Sequence, residues 1–368
     1  MKTSKLLLAS LLGLWVAAPL HAQILIGQTA GFTGTVAAGV KETTDGAKLF
    51  IDSINAKGGV GGQQIELISM DDKFDPKLSA ENAKVLIEEK NVVALFLNRG
   101  TPHSQAIIPL LNKHAVPLIA PSTGAMVLHQ PVQKHVFNVR ATYQREAEKA
   151  VVHLATIGIT KIALVYVDDS FGNDGLAGAQ KGMAEAKLEA VALEKFDRAK
   201  PDFSKIGPTV AKSGAQAALL IGSGAAVVDG VKAIREAGSN CQIVTLSNNA
   251  SGGFIKSLGA NARGVIVSQV FPQSFNYMLV KEASDMARAK GLPEPSPAAL
   301  EGFAGAKVLV EALRRAGNKP TRAKIQAALE TFSKFDLGGL EVSFSPADHT
   351  GLNFSDLSII TADGRFRR

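Results

Sequence analysis

The side chains with chemistry to offer sit in short polar stretches, beginning with APSTGA at residues 120–125. There Ser122 and Thr123 stand between an apolar run and a glycine. A nucleophilic serine needs a base in reach and usually a strained Gly-x-Ser-x-Gly elbow. APSTGA lacks the first glycine, and no partner His/Asp pair is suggested, so holding is favoured over attacking. A carboxylate taken out of water must receive several hydrogen bonds. Thr101, which follows Gly100 in NRGTPHS (98–104), ends the neighbouring apolar run. Its hydroxyl, those of Ser122 and Thr123, and the adjacent N–H groups are therefore expected to converge on one anion.

Other stretches are less specific. GQTAGFTG (27–34) has glycines but lacks the Gly-Lys-Ser/Thr ending of a phosphate loop, and reads as a turn that brings Phe32 to the border of a ligand cleft. GGVGG (58–62) joins a helix to the amino end of a strand, the wrong side of a sheet for a site. The pairs Asp71–Asp72 and Asp168–Asp169 have no His/Cys cluster or EF-hand spacing beside them, so helix capping is the reading and no metal or other cofactor is expected. The seven histidines are dispersed, and His103 alone stands beside a loop of interest.

Positioning these loops requires alternating strands and helices. Strand patterns fall at 24–30, 64–72, 92–97 and 116–120, with helices at 36–56, 77–89 and 103–114 between them, and HVFNVRA (135–141) leads on. A helix at 144–157 opens a second series, with strands at 161–167, 190–196, 217–222, 242–248 and 264–270. Its helices fall at 174–187, 203–213 and 225–237. Helical stretches at 274–290, 297–317 and 321–331 follow, then a strand pair or edge at 338–346 and a last strand at 357–361. Continuously apolar strands separated by helices predict an α/β fold of two doubly wound parallel-sheet lobes, with ligands beyond the carboxyl ends of the strands.

The chain begins with Lys2 and Lys5, an apolar run from Leu6 to Ala18, and PLHA. This is the pattern of a secretory signal peptide, 1–22, cleaved after Ala22, and it predicts export to the periplasm. No later stretch of about 18 apolar residues suggests a membrane span. The single cysteine, Cys241, precludes an internal disulfide. The formal charge of +7 comes from scattered basic residues, which argues against nucleic acid as a partner.

Residues 24–89, GTPHSQAIIPLLNKHAVPLIAPSTGA (100–125), YVDDSFGNDGLAGAQKGM (166–183), LEGFAGAKVLVEALRRAG (300–317) and FSPADHTGLNFSDLSII (344–360) together carry a resemblance. In this order they resemble the leucine/isoleucine/valine-type periplasmic solute-binding proteins of ABC transporters. The resemblance covers essentially the whole chain after residue 22. It implies a type I bilobal receptor with three interlobe crossings: lobe 1 at 23–140 plus 272–347, lobe 2 at 141–271 plus 348–368. It also implies a small-molecule ligand, an inner-membrane permease complex as partner, a monomer, and no catalysis.

Carried over position by position, the family's carboxylate grip falls on Thr101, Ser122, Thr123 and Gly124, the last standing where relatives carry a threonine. Phe171 matches an aromatic laid over the ligand, Tyr143 is an additional wall, and Ser223 with Gly224 matches a loop where another aromatic often sits. Relatives place an acid near Asn248 to pair with the ligand's ammonium, whereas Asn248 and Asn249 are neutral. The resulting expectation is a carboxylate without a free α-amine, such as an aromatic or keto acid, or an amide. Asp168, Asp169 or backbone carbonyls are alternatives for holding an ammonium, which keeps a hydrophobic or branched-chain amino acid in view. Two rival readings are a sensing module that serves a signalling receptor and a serine hydrolase using Ser122.

Overall fold

The structure, a computed structural model, describes residues 23–367. The expected signal peptide at 1–22 lies outside them. Strands β1 (Gln23–Ala30), β2 (Gln64–Asp71), β3 (Ala94–Phe96), β4 (Leu118–Ile119) and β5 (Val136–Phe137) form a parallel sheet in the order β2-β1-β3-β4-β5. Helices α1 (Ala37–Asn55), α2 (Pro76–Lys84, prolonged by a π-helical turn at Val85–Glu89) and α3 (Thr101–His114) connect them.

Helix α4 (Tyr143–Thr156) leads into the second sheet. It holds β6 (Ile162–Val167), β7 (Ala192–Phe196), β8 (Ala217–Ile221), β9 (Gln242–Thr245) and β10 (Ile266–Gln269), with α5 (Ser170–Ala186), α6 (Ile206–Lys212), α7 (Ala225–Glu236) and α8 (Gly252–Leu258) between. The chain returns to the first lobe as α9 (Met278–Ala289), α10 (Pro297–Ala316), α11 (Arg322–Leu329) and the paired short strands β11 (Phe335–Asp336) and β12 (Glu341–Val342). Finally β13 (Asp356–Ile360) and β14 (Phe366–Arg367) add antiparallel to the second sheet, giving β14-β13-β10-β9-β8-β6-β7.

Burial explains the composition of the strands. The central β8, AALLI, is buried at every residue, as a strand covered on both faces must be. In the edge strand β7, ALEKF, Leu193 and Lys195 are exposed, Ala192 and Glu194 half-buried, and only Phe196 is buried. One core gathers Phe96, Phe303, Leu309, Ile325 and Phe332 from the first sheet and the returning helices. Another gathers Leu164, Leu219, Val244, Val267 and Ile360. At about 1.5–3 kcal/mol for each large apolar side chain removed from water, each core is a main source of its lobe's stability.

Two of the connecting segments run side by side. Gly351 N–H donates to Asn138 C=O (2.7 Å), Leu352 N–H to Val139 C=O (2.9 Å), and Asn138 N–H to His349 C=O (2.9 Å). Among the described residues no helix is long and apolar enough to cross a membrane.

Three boundaries differ from the sequence expectation in ways that matter for the site. Helix α5 begins at Ser170, not 174, because Asp169 Oδ1 accepts the N–H groups of Phe171 (2.9 Å) and Gly172 (3.1 Å). Phe171 is therefore in the first helical turn. The strand expected over 242–248 stops at Thr245, and Ser247–Asn249 curl into a 3₁₀ turn that presents Asn248 and Asn249. The helix expected from 274 starts at Met278.

Candidate functional site

The carboxyl ends of the two sheets face each other, and the lobes are closed. Glu42 on α1 accepts the N–H groups of Gly252 (2.9 Å) and Gly253 (2.8 Å) at the start of α8, and the Ser296 hydroxyl (2.6 Å). Ala225 N–H, opening α7, donates to Thr35 C=O (3.2 Å). At Gly224 the second lobe approaches so closely that a Cβ would collide with Thr35 O, and its φ of +54° also favours glycine. Among these contacts the closed lobes leave an open-mouthed cavity of about 460 Å³. Its walls come from the loops after β1 (Gly34, Thr35), β3 (Arg99), β8 (Gly224, Ala225) and β9 (Asn248, Asn249, Ser251), with Asp229 and Lys232 on its rim. That is the expected position for a ligand site in open α/β sheets.

Arg99 was not singled out by the sequence, yet it is the charged group at the inner end of this cavity. Residues 99 and 122 form a parallel bridge just past β3 and β4. The guanidinium extends from there: Nη1 donates to Ser122 Oγ (3.4 Å) and Nη2 to Asn248 C=O in the other lobe (2.6 Å). It is only 4 % exposed. Burial pulls its pKa below the ordinary value, against the opposing influence of Tyr143 and Glu301. The signal available in the sequence was an arginine at the end of an otherwise apolar strand, immediately before the Gly100–Thr101 turn.

Beneath Arg99 the hydroxyl cluster is assembled, but inwardly. Thr101 Oγ1 and Thr123 Oγ1 bond each other at 2.7 Å, and both residues are fully buried. Gly124 C=O accepts Tyr143 N–H (2.8 Å), and a Cβ at position 124 would lie 2.5 Å from Ala141 O. The glycine is thus required by the close backbone approach of the first crossing. Gly100, at φ +99°, packs under the His103 and Phe74 rings. Those rings stack at 4.5 Å and meet Arg198 of the second lobe, which lies 4.9 Å over Phe74 and pairs with Asp169. Burial holds His103 down to a pKa of about 4.

Tyr143 and Phe171 pack ring on ring at 4.8 Å, with the Arg140 guanidinium 4.5 Å above Tyr143. Arg140 pairs with Glu146 and donates to Ser247 Oγ (2.8 Å), while Glu301 lies 3.8 Å from its Nη1. Burial opposes the Arg140 charge, but Glu146, Tyr143 and Glu301 outweigh it and raise its pKa. Burial likewise raises that of Tyr143.

The two asparagines divide their work. Asn249 ties its turn to the loop after β8: Oδ1 accepts Gly224 N–H (2.8 Å), and Nδ2 donates to Gly222 C=O (3.0 Å) and, at the end of β9, to Thr245 Oγ1 (2.9 Å). Asn248 Nδ2 donates to Gly222 C=O and Ser223 Oγ, both at 2.9 Å, and its buried Oδ1 has no partner. Of the candidates read from sequence, Asn248 and Asn249 line the cavity. Ser122, Thr101, Thr123, Gly124, Tyr143 and Phe171 form the layer behind Arg99, and Ser223 braces Asn248. Phe32 packs instead with Ala30, Val36, Val40 and Phe74. Asp168 pairs with Lys195 at 2.8 Å, so both members of that acidic pair already have cationic partners. Among the described residues no group of three or more His, Cys, Asp or Glu is placed to hold a metal ion.

Two doubly wound lobes closed over a cavity at their strand ends define a bilobal ligand-binding protein. A family model described as "Periplasmic binding protein" matches residues 23–364, and the chain belongs to that family. It is 28% identical to the Leu/Ile/Val-binding protein BraC3 of Rhizobium johnstonii over 350 residues, 89% of each chain. Among solved structures it is similar to a substrate-binding periplasmic protein from Ralstonia solanacearum, at 28% identity and a TM-score of 0.85 over 94% of this chain and 99% of that one. An extracellular ligand-binding receptor from Verminephrobacter eiseniae is similar at 28% identity and a TM-score of 0.83, over 94% of this chain and all of that one (100%). These relatives are named as binding proteins, not as enzymes.

Proposed function

We propose that this protein is the periplasmic solute receptor of an ABC importer, closing on a small carboxylate-bearing solute and delivering it to an inner-membrane permease. The observation that carries the reading is the cavity between the strand ends of the two lobes, with the buried Arg99 guanidinium at its inner end. Closure would be driven by the ligand, because contacts to the second lobe exist only in the closed form. In this reading residues 1–22 are the export signal, lobe 1 spans 23–140 plus 272–347, lobe 2 spans 141–271 plus 348–368, and the receptor works as a monomer. The names of the relatives favour hydrophobic or branched-chain amino acids as solutes. The neutral Asn248 favours amine-free acids.

A thermal-shift screen of ligand-stripped protein tests the reading, with α-amino acids set beside their keto, hydroxy and aromatic carboxylate counterparts. A solute at about 100 times its Kd adds about 2.7 kcal/mol of stability and raises Tm by several degrees. Failure of every small carboxylate to raise Tm, with turnover of simple esters that Ser122→Ala abolishes, would replace this reading with the hydrolase.

A further inference from the structure

The cavity has one buried cation that the fold leaves without an anion and one buried acceptor left without a donor, and they are neighbours. Arg99 has no carboxylate within ion-pair distance among the described residues, and of its five N–H donors only two are engaged, by Ser122 Oγ and by the Asn248 main chain. The Asn248 side chain has its orientation fixed. Nδ2 faces the carbonyl of Gly222, which can only accept, so a flipped amide would set oxygen against oxygen. The free atom is therefore Oδ1, buried and without a partner. Around the same cavity α1 and α7 begin without side-chain caps, adding the positive ends of two long helices.

From this geometry we infer that Arg99 and Asn248 read the head group of the ligand together. The guanidinium takes a carboxylate, and the Asn248 side-chain carbonyl takes an uncharged donor next to it. The ligand class is a small 2-hydroxy acid, or a carboxylate with an equivalent neutral donor. This rests on the receptor reading above and specifies its solute. A free α-ammonium fits this pair poorly, because it would bring a second positive charge beside a buried guanidinium with no buried anion free to receive it. The buried and half-buried carboxylates nearby have other partners: Glu42 holds the start of α8, Asp169 pairs with Arg198, and Glu146 and Glu301 face Arg140, while Asp229 stands exposed on the rim beside Lys232. Arg99 is thus a specificity-determining residue as well as a bond between the lobes.

The test is calorimetric titration of a 2-hydroxy acid, its primary amide and the matching α-amino acid into wild-type protein, Arg99→Gln and Asn248→Asp. The wild type is expected to bind the hydroxy acid at least about tenfold more tightly than the amide or the amino acid. Arg99→Gln should erase the preference of acid over amide, a change that mere loosening of the lobes would not produce because it would weaken both alike. Asn248→Asp should shift preference toward the amino acid. Should Arg99→Gln weaken acid and amide equally, the inference falls while the receptor reading stands. Tighter binding of the amino acid by the wild type would overturn the inference, and its loss in Asp229→Asn or in Glu301→Gln would assign the ammonium to that acid. Binding of none of the three, alongside tight binding of some other carboxylate, would also overturn the inference alone. If no carboxylate of any kind binds, the receptor reading falls with it.

Discussion

Arg99 of the first lobe donates to the main-chain carbonyl of Asn248 in the second, across 2.6 Å, at the inner end of the interlobe cavity. The bond links the loop after β3 to the turn after β9, so the group best suited to grip an anion also reports on closure. A ligand that engages Arg99 and the Asn248 turn can only do so with the lobes together, which is how binding energy becomes conformational change.

Glu42 is the second fastening. Its carboxylate accepts two N–H groups at the start of α8 and the Ser296 hydroxyl. Glu42→Ala removes charge-assisted bonds worth about 1.5–3 kcal/mol, of which those from Gly252 and Gly253 cross the lobes and form only on closure. Ligand affinity is expected to fall by roughly 10- to 100-fold in titration calorimetry. The melting temperature without ligand should move little, and small-angle scattering should show a more extended particle.

Gly124 is held by its backbone surroundings. A Cβ there would sit 2.5 Å from Ala141 O, where the chain turns into the first crossing. Gly124→Ala is expected to cost about 1–3 kcal/mol in urea unfolding, the range for forcing extra volume into a packed site. A threonine should cost more.

Asn249 is a brace. Its side chain satisfies Gly224 N–H, Gly222 C=O and Thr245 Oγ1 in the loop that meets Thr35. Asn249→Ala should lower unfolding free energy by about 1–3 kcal/mol through the buried groups it strands. Asn248→Ala should act chiefly on ligand affinity.

His103 makes acid stability measurable. Burial lowers its folded pKa from 6.5 to about 4, so the unfolded chain takes up the proton first. Stability from this group is complete above pH 6.5 and is lost as pH falls toward 4, by about 2 kcal/mol at pH 5. His129, also lowered to about 4 by burial, acts in the same direction. Asp72, raised to about 6 by burial, acts oppositely, since its folded form is favoured by protonation. The comparison with His103→Phe cancels both. Between pH 7 and pH 5 the variant should lose about 2 kcal/mol less than the wild type in urea titrations.

The architecture was legible because buried parallel strands such as AALLI cannot be mistaken for surface, and because polar turns recur after each of them. The loops that carry the cavity were visible for the same reason. Which side chains within those loops face it was not. Thr101 and Thr123 satisfy each other, Asn249 reaches back to the loop after β8, and Phe32 joins an apolar cluster that includes Phe74, each relationship involving a residue distant in sequence. Arg99 was overlooked because an arginine in a loop reads as solvated. Only the meeting of two strand ends with the opposite lobe shows it to be buried.

The most direct test is a crystal structure of the protein with the small carboxylate that stabilises it best. The account predicts density for that molecule between the lobes, its carboxylate on the Arg99 guanidinium and its remaining polar group toward Asn248 Oδ1. A ligand bound outside the cleft, or inside it with Arg99 turned away from the carboxylate, would contradict it.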